Sequence, residues 1–397
     1  MGITHQPIMK HLLVYGWLLL VVMLHGNTLQ AQDTAISIPT ITVFAPVYID
    51  SAFADGAYKL GNGGMPRQMW SSLEFYQGMM LAVDSLNKEK VKLRVIFQDT
   101  KSMQPTLEEA LEGDTLKQSK LMVAVFTARN DIKPLADFSK EQKIPLLSYT
   151  FPNDGGVTQN PYFVLINPTL KVHLEAIFKY LQRNYPTQPI NLFKRKGATE
   201  DMIQQTLEEL NKKTPGTKLK LNPIELRDGF MPEEVLVSLD STKENITLCG
   251  SLQDEFAFNL TRTLGTAKLY RSVIIGMPTW ETGRDYSKFM EIIYTSHFQL
   301  KKNEKAVNYI SAAYKNKLAG KAGDMVFKGF EAMYHFGKLL AKYPNNILQH
   351  LSDKEFRLLN DFDIRANKLL DGSVEYLENK KVYFIRKQDG LIKTVKE

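Results

Sequence analysis

The stretch that most constrains this chain runs from Leu121 to Pro152. A short apolar run, Leu121–Phe126, is followed by helical spacing from Asp131 to Gln142 and then by a second apolar run, Ile144–Leu147. Apolar runs of this length suit strands buried on both faces. Ile132, Leu135, Ala136 and Phe138 fall on one side of the intervening helix. Strand, crossover helix and strand form a βαβ unit, so the two strands lie parallel and end on the same edge of a sheet. Thr127, Ala128, Arg129 and Asn130 follow the first strand, and Ser148, Tyr149 and Thr150 follow the second. Open α/β sheets bind ligands at that carboxyl edge, and small hydroxyls beside a helix amino end suit a carboxylate or another anion. Thr127 and Ser148 would serve equally well simply to cap and turn the chain.

The same alternation extends in both directions. Strands are expected at Ile41–Val47, Val91–Phe97, Phe163–Ile166, Asn191–Phe193, Lys218–Leu226, Ile246–Cys249 and Val273–Ile275. Helices are expected at Trp70–Leu86, Thr106–Gln118, Pro168–Tyr185, Glu200–Asn211 and Asp254–Leu264, the last capped by Gly265. Gly78 costs helix stability where it stands and is expected to permit close packing on the sheet. Ser51–Met69 reads as a polar loop at the mouth of a cleft; its Gly61-Asn62-Gly63-Gly64 fits neither common phosphate-binding glycine pattern. Towards the end come helices at Glu304–Lys317 and Asp324–Tyr343, the second apolar over much of its circumference. Polar helix-like pieces follow, then a hairpin, Val382–Arg386 with Leu391–Val395. With 397 residues, one ordinary core is outgrown, and two parallel-sheet lobes are the economical picture.

The amino terminus reads differently. Lys10 and His11 precede the apolar run Leu12–Leu24, and Ala31-Gln32 offers a cut. This is the pattern of a signal peptide over residues 1–32, with a retained membrane anchor as the alternative. Removing Lys10 with the leader lowers the net charge from +7 to +6. The remaining basic residues are scattered among acids, which argues against a nucleic-acid partner. Cys249, the one cysteine, lies in an apolar strand and reads as a small core residue. It is far from the leader, so it is no lipid-attachment cysteine. An exported chain without disulfides suits a bacterial periplasm.

No enzyme chemistry is legible. The four histidines beyond the leader, His173, His297, His335 and His350, stand at no metal-ligand spacing. No nucleophile elbow or catalytic residue is identified, and neither a metal nor a cofactor is implied.

The order of motifs resembles the type I periplasmic solute-binding proteins over about residues 36–397. The helix with Phe75-Tyr76-Gln77-Gly78-Met79-Met80-Leu81-Ala82-Val83-Asp84, the strand end Gln98-Asp99-Thr100, the Ile-Pro-Leu-Leu-Ser stretch, Pro161-Tyr162-Phe163-Val164, the Phe327–Leu340 helix and the closing hairpin carry the resemblance. The chain is most similar to amino-acid-transporter-like binding proteins of the Bacteroidetes group, some of which carry LysM modules; no segment here reads as LysM. The resemblance implies an α/β fold of two lobes, each a parallel sheet flanked by helices, joined by three crossovers. Lobe one would hold 33–166 with 301–345, and lobe two 167–300 with 346–397. It also implies a non-enzymatic protein that takes a small polar solute, an amino acid or similar, and meets a membrane permease or sensor. Thr127, Ala128, Ser148 and Thr150 match the positions that hold the ligand carboxylate. Glu281 with Trp280 is the match for the amine, and Tyr48 and Tyr149 would wall the side chain. The family's Gly-Pro-x-x-Ser after the third strand is here Phe126-Thr127-Ala128-Arg129-Asn130. Arg129 would favour a ligand richer in anionic groups, unless it lies on the surface. Glu281 could equally be an acid favoured by a helix dipole. Two other readings stay open: an envelope or cell-wall interaction protein that reuses the fold without a solute, and an α/β transferase.

Overall fold

The apolar runs become strands because their alternate residues enter two different cores. A computed structural model of the chain describes residues 38–394 except 63, 302 and 303. The expected leader at 1–32, and Val395 at the end of the expected hairpin, lie outside the described residues.

In chain order, β1 (Thr40–Ala45) leads into a short helix (Ile49–Ala52) and a small ribbon, β2 (Phe53–Ala54) and β3 (Ala57–Tyr58). Next come α1 (Arg67–Lys88), β4 (Arg94–Asp99), β5 (Ser119–Ala124), α2 (Ile132–Gln142), β6 (Leu146–Ser148) and β7 (Phe163–Leu165). A second series follows: α3 (Leu170–Asn184), β8 (Pro189–Arg195), α4 (Ala198–Lys213), β9 (Lys220–Leu226), β10 (Asn245–Cys249), α5 (Asp254–Thr266), β11 (Ser272–Gly276) and β12 (Ile292–Ser296). The chain then forms α6 (Lys305–Leu318), α7 (Asp324–Lys342), β13 (Ile364–Lys368), β14 (Val374–Asn379), β15 (Tyr383–Gln388) and β16 (Leu391–Thr394).

Two seven-stranded sheets result, ordered β13-β14-β7-β6-β5-β1-β4 and β16-β15-β12-β11-β10-β8-β9. Pairing is parallel except where β13, β15 and β16 join their neighbours. In β5, Leu121 and Val123 enter the core under α1 and α7, whereas Met122 and Ala124 enter the core under α2. The second sheet is likewise covered on both faces. Ile274 packs with Leu260 of α5 on one side, and Leu192 packs with Phe178 of α3 and Ile203 of α4 on the other. Each lobe is thus a largely parallel sheet flanked by helices, as the alternating pattern requires.

Four local expectations are corrected. Residues 346–397 do not all join the second sheet: β13 and β14 form a hairpin on the first, with β14 parallel to β7 through Leu377 opposite Val164. Exposed Arg365, Ala366 and Lys368 leave β13 without a readable apolar period. The loop at 51–69 contains the β2–β3 ribbon, turned at Asp55-Gly56, where φ is 49° and 77°; Asp-Gly is a hairpin signal that the polar surroundings mask. The helix expected at Thr106–Gln118 breaks in two at Gly113, which is extended. Gly265 does not cap α5 but lies within it, where a Cβ would sit 2.5 Å from the Phe289 carbonyl oxygen.

Gly78 does permit a close approach, but to α7 rather than to the sheet. A Cβ on Gly78 would lie 1.9 Å from the Val326 carbonyl oxygen, and one on Gly329 would lie 2.0 Å from that of Phe75. The two backbones therefore touch at a pair of glycines. Gly78→Ala and Gly329→Ala should each destabilise the protein by about 2–3 kcal/mol in urea unfolding, because the overpacking cost exceeds the ~1 kcal/mol that alanine gains in a helix. Gly64→Ala, with no described residue beyond its chain neighbours within 4 Å of its Cβ, should be near neutral.

Candidate functional site

The chain leaves the first sheet at the carboxyl end of β7, through 166–169, and leaves the second at the carboxyl end of β12, through 297–300. It crosses a third time at 380–382, from the carboxyl end of β14 into β15. Both carboxyl edges therefore lie on the side where the lobes are joined. The loops that follow β1, β4, β5 and β6 share that edge of the first lobe; those after β8, β10 and β11 share that edge of the second.

On the first edge, Asp99 is the organiser. Its buried carboxylate accepts from the backbone N–H of Val47 at 2.9 Å and of Ile49 at 2.8 Å. Between them Tyr48 is held in the left-handed region, with φ 58°, and half-buried. Thr127, Ala128 and Arg129 are exposed on the loop after β5. Thr150 stitches this loop to the next: its Oγ1 donates to the Phe126 carbonyl at 3.1 Å and accepts from the Phe126 N–H at 3.2 Å. No carboxylate pairs with Arg129 among the described residues, whereas neighbouring Asp131 is paired with Lys101 at 2.8 Å. Tyr48, Thr127, Ala128, Arg129 and Thr150 thus share one rim.

Ser148, Tyr149 and Trp280 do not reach it. Ser148 ends β6 with its side chain turned into the layer under α2; it is fully buried, and its hydroxyl has no hydrogen-bond partner among the described residues. Tyr149 points to the opposite face, packs edge-on against Phe75 at 5.6 Å between ring centres, and reaches Glu331 through its hydroxyl at 3.5 Å. Trp280 is buried against Gly276 and Tyr286 in the second lobe's core. The sequence shows which residues follow a strand, but not which of them fold back beneath the helices.

Glu281 is at the interlobe boundary but already engaged. Its Oε2 accepts from the Ser296 hydroxyl at 2.6 Å, and Lys328 of α7 stands 4.0 Å from its Oε1. Burial raises its carboxyl above the ordinary carboxylate range, against the opposing pull of Lys328. A cavity of about 150 Å³ beside it is lined by Ser296, Gln299 and Asp324 among others. The buried Gln299 side-chain oxygen has no partner among the described residues.

A polar network the sequence did not reveal ties the crossings together. Glu331, fully buried on α7, accepts from the N–H groups of Leu359 and Asn360 at 3.1 and 2.6 Å and from the Asn360 side chain at 3.1 Å. Asn360 in turn accepts from the Gln299 N–H at 3.0 Å, on the second crossing. Asn379 donates to the Ile166 carbonyl at 3.1 Å and accepts from the Asp363 N–H at 3.0 Å, while Glu378 accepts from the Thr169 N–H at 2.7 Å. The available signal was an acid amid apolar neighbours, Phe330-Glu331-Ala332. Among the described residues, no cluster of three His, Cys, Asp or Glu side chains is placed to hold a metal ion, and no helix is long and apolar enough to cross a membrane.

No family model and no curated protein matches the sequence. The fold does have neighbours among solved structures. An ABC transporter substrate-binding protein from Desulfitobacterium hafniense, in complex with Leu, matches with TM-score 0.56 and 13% identity over 90% of this chain and 99% of its own. A branched-chain amino acid ABC transporter periplasmic ligand-binding protein from Burkholderia xenovorans matches with TM-score 0.59 and 12% identity over 90% and 94%. A protein from Rhodospirillum rubrum assigned as a branched-chain amino acid ABC transporter gives TM-score 0.63 and 11% identity over 90% and 100%.

Burial pushes the Glu331 carboxyl from 4.5 up to about 7. A carboxyl raised on folding stabilises the native state below its unfolded pKa, and that stability is lost as pH rises through the folded value. Relative to Glu331→Gln, the wild type should therefore lose on the order of 3 kcal/mol between pH 4.5 and 7.5, at 1.36 kcal/mol per unit, read by urea unfolding at each pH. The sheet order, the three crossings and these structural neighbours agree: the chain has the two-lobed fold of the type I periplasmic binding proteins.

Proposed function

We propose that this chain is a non-enzymatic periplasmic solute-binding protein that captures a small polar solute, an amino acid or a close relative, between its two carboxyl edges. The observation that carries this reading is the rim on the first lobe, where Tyr48, Thr127, Ala128, Arg129 and Thr150 gather beside a hinge of three crossings. A rim of backbone, hydroxyl and unpaired guanidinium suits the carboxylate of a solute. Glu281 is the acid across the boundary from it; a solute amine would have to compete with Lys328 and Ser296 for its oxygens. Two-lobed proteins of this kind close on a ligand that binds the closed form better, and the closed form is what a membrane permease or sensor would recognise. The neighbour solved with Leu supports the class of solute.

One observation favours a second reading. The residues expected to hold the amine end are buried or already bonded, which suits an envelope interaction protein that reuses the fold without a solute.

A thermal-shift screen over amino acids, short peptides and sugar fragments separates the two. A solute present at a hundred times its dissociation constant adds about 2.7 kcal/mol to native stability, so a bound amino acid should raise the melting midpoint by several degrees. Arg129→Ala should weaken that solute about tenfold or more, the scale of one lost charged hydrogen bond, without lowering the midpoint of the free protein. If no solute shifts the midpoint, the interaction reading stands instead.

A further inference from the structure

A groove of about 570 Å³ lies away from the carboxyl-edge rim, between α3 of the second lobe and the third crossing with β13. This size falls in the range of small-molecule sites. Its α3 wall is one helical stripe, in which Val172, Ala176, Lys179, Tyr180 and Arg183 recur at intervals of three and four. Its other wall comes from Arg365 on β13 and from Lys380 and Lys381 at the crossing. Five cations therefore face the groove against two carboxylates, Glu175 and Asp363.

The pairing within it is uneven. Asp363 is held by Arg365 at 2.8 Å, and Lys380 is held by Glu378 at 2.5 Å. Among the described residues Lys179 and Arg183 have no ion-pair partner; both are exposed, and they stand four residues apart on one helix face. Like charges at that spacing disfavour the helix in isolation; Glu175, four residues before Lys179 on the same face, offsets part of that cost, and a bound anion would relieve the rest. Arg183 also sits in the last turn, where a cation is favoured by the helix dipole; Lys179 lies a turn earlier and lacks that explanation. Beneath the charges lies an apolar and aromatic floor, with Tyr180 stacked on Phe384 at 4.4 Å between ring centres. A cationic rim over a flat floor recognises a compact molecule with several negative charges and an apolar or planar body.

We propose that this groove is a second binding site, for a small multivalent anion of the carboxylate or phosphate class. Lys179 and Arg183 are its principal charge contacts, and Arg365 and Lys381 close the far side. The proposal does not depend on which solute, if any, enters between the carboxyl edges.

The test is isothermal titration of the full chain with citrate and, separately, with pyrophosphate, against sodium chloride of matched ionic strength. The expected result is saturable one-to-one binding of at least one of the two, weakened about tenfold or more in Lys179→Ala/Arg183→Ala. Both substitutions are on exposed side chains, so an unchanged melting midpoint should accompany the loss. Citrate alone would assign the carboxylate class, and pyrophosphate alone the phosphate class. Heats equal to the salt blank for both anions, or equal binding by the double variant, would overturn the proposal.

Discussion

A buried acid holds the two halves of this molecule in register. Among the described residues Glu331 has no cation as partner; its donors are two backbone N–H groups and one side-chain amide from Leu359 and Asn360, with the Tyr149 hydroxyl more distant at 3.5 Å. Leaving such donors unpaired in the interior would cost about 1–3 kcal/mol each. The loop at 359–363 is therefore bound to α7, and that loop reaches every crossing. Asn360 holds the second, Asn379 joins Asp363 to the first, and Asp361 donates its N–H to the Tyr383 hydroxyl at 2.8 Å on β15. Three separate strands of chain are thus tied together by one hydrogen-bonded loop.

The acid is in place only because α7 is. Its seat on the first lobe is fixed by the reciprocal glycines at 78 and 329, which bring two helix backbones into contact where side chains would hold them apart. Farther along the same helices, Tyr334 and Lys338 both reach Glu89, at 2.8 and 2.7 Å. At its other end α7 carries Lys328, which stands over Phe298 and faces Glu281 in the second lobe. One helix therefore packs on one lobe, anchors the hinge and touches the other lobe. Any motion between the lobes must be accommodated around it.

Much of the fold was legible because its strands are apolar runs and its helices amphipathic stripes; the run Leu121–Phe126 and the stripe of α2 carry their own periods. What the sequence hid was of two kinds. β13 is largely exposed, so nothing in Ile364–Lys368 announces a strand until it pairs with β14, which itself lies beside β7. The site was hidden more deeply. Ser148 and Thr150 are both hydroxyls at the end of β6, yet one is sealed under α2 and the other is on the rim. Trp280 and Glu281 are adjacent, yet one enters a core and the other an interlobe boundary. Linear order cannot separate neighbours whose fates depend on a turn of the backbone. Asn360 and Asn379, which bind the crossings together, carry no local pattern at all.

If a polar solute enters between the carboxyl edges, as proposed, the two lobes should turn about this bound hinge. Spin labels on Met103→Cys and Gln253→Cys, exposed residues on the two edges, would report it by pulsed electron resonance. Native Cys249 does not interfere, since it is fully buried and burial pushes its thiol up to about 12. With a saturating mixture of amino acids, the distance distribution should be shorter and narrower than in buffer alone. An identical distribution in both conditions would contradict it.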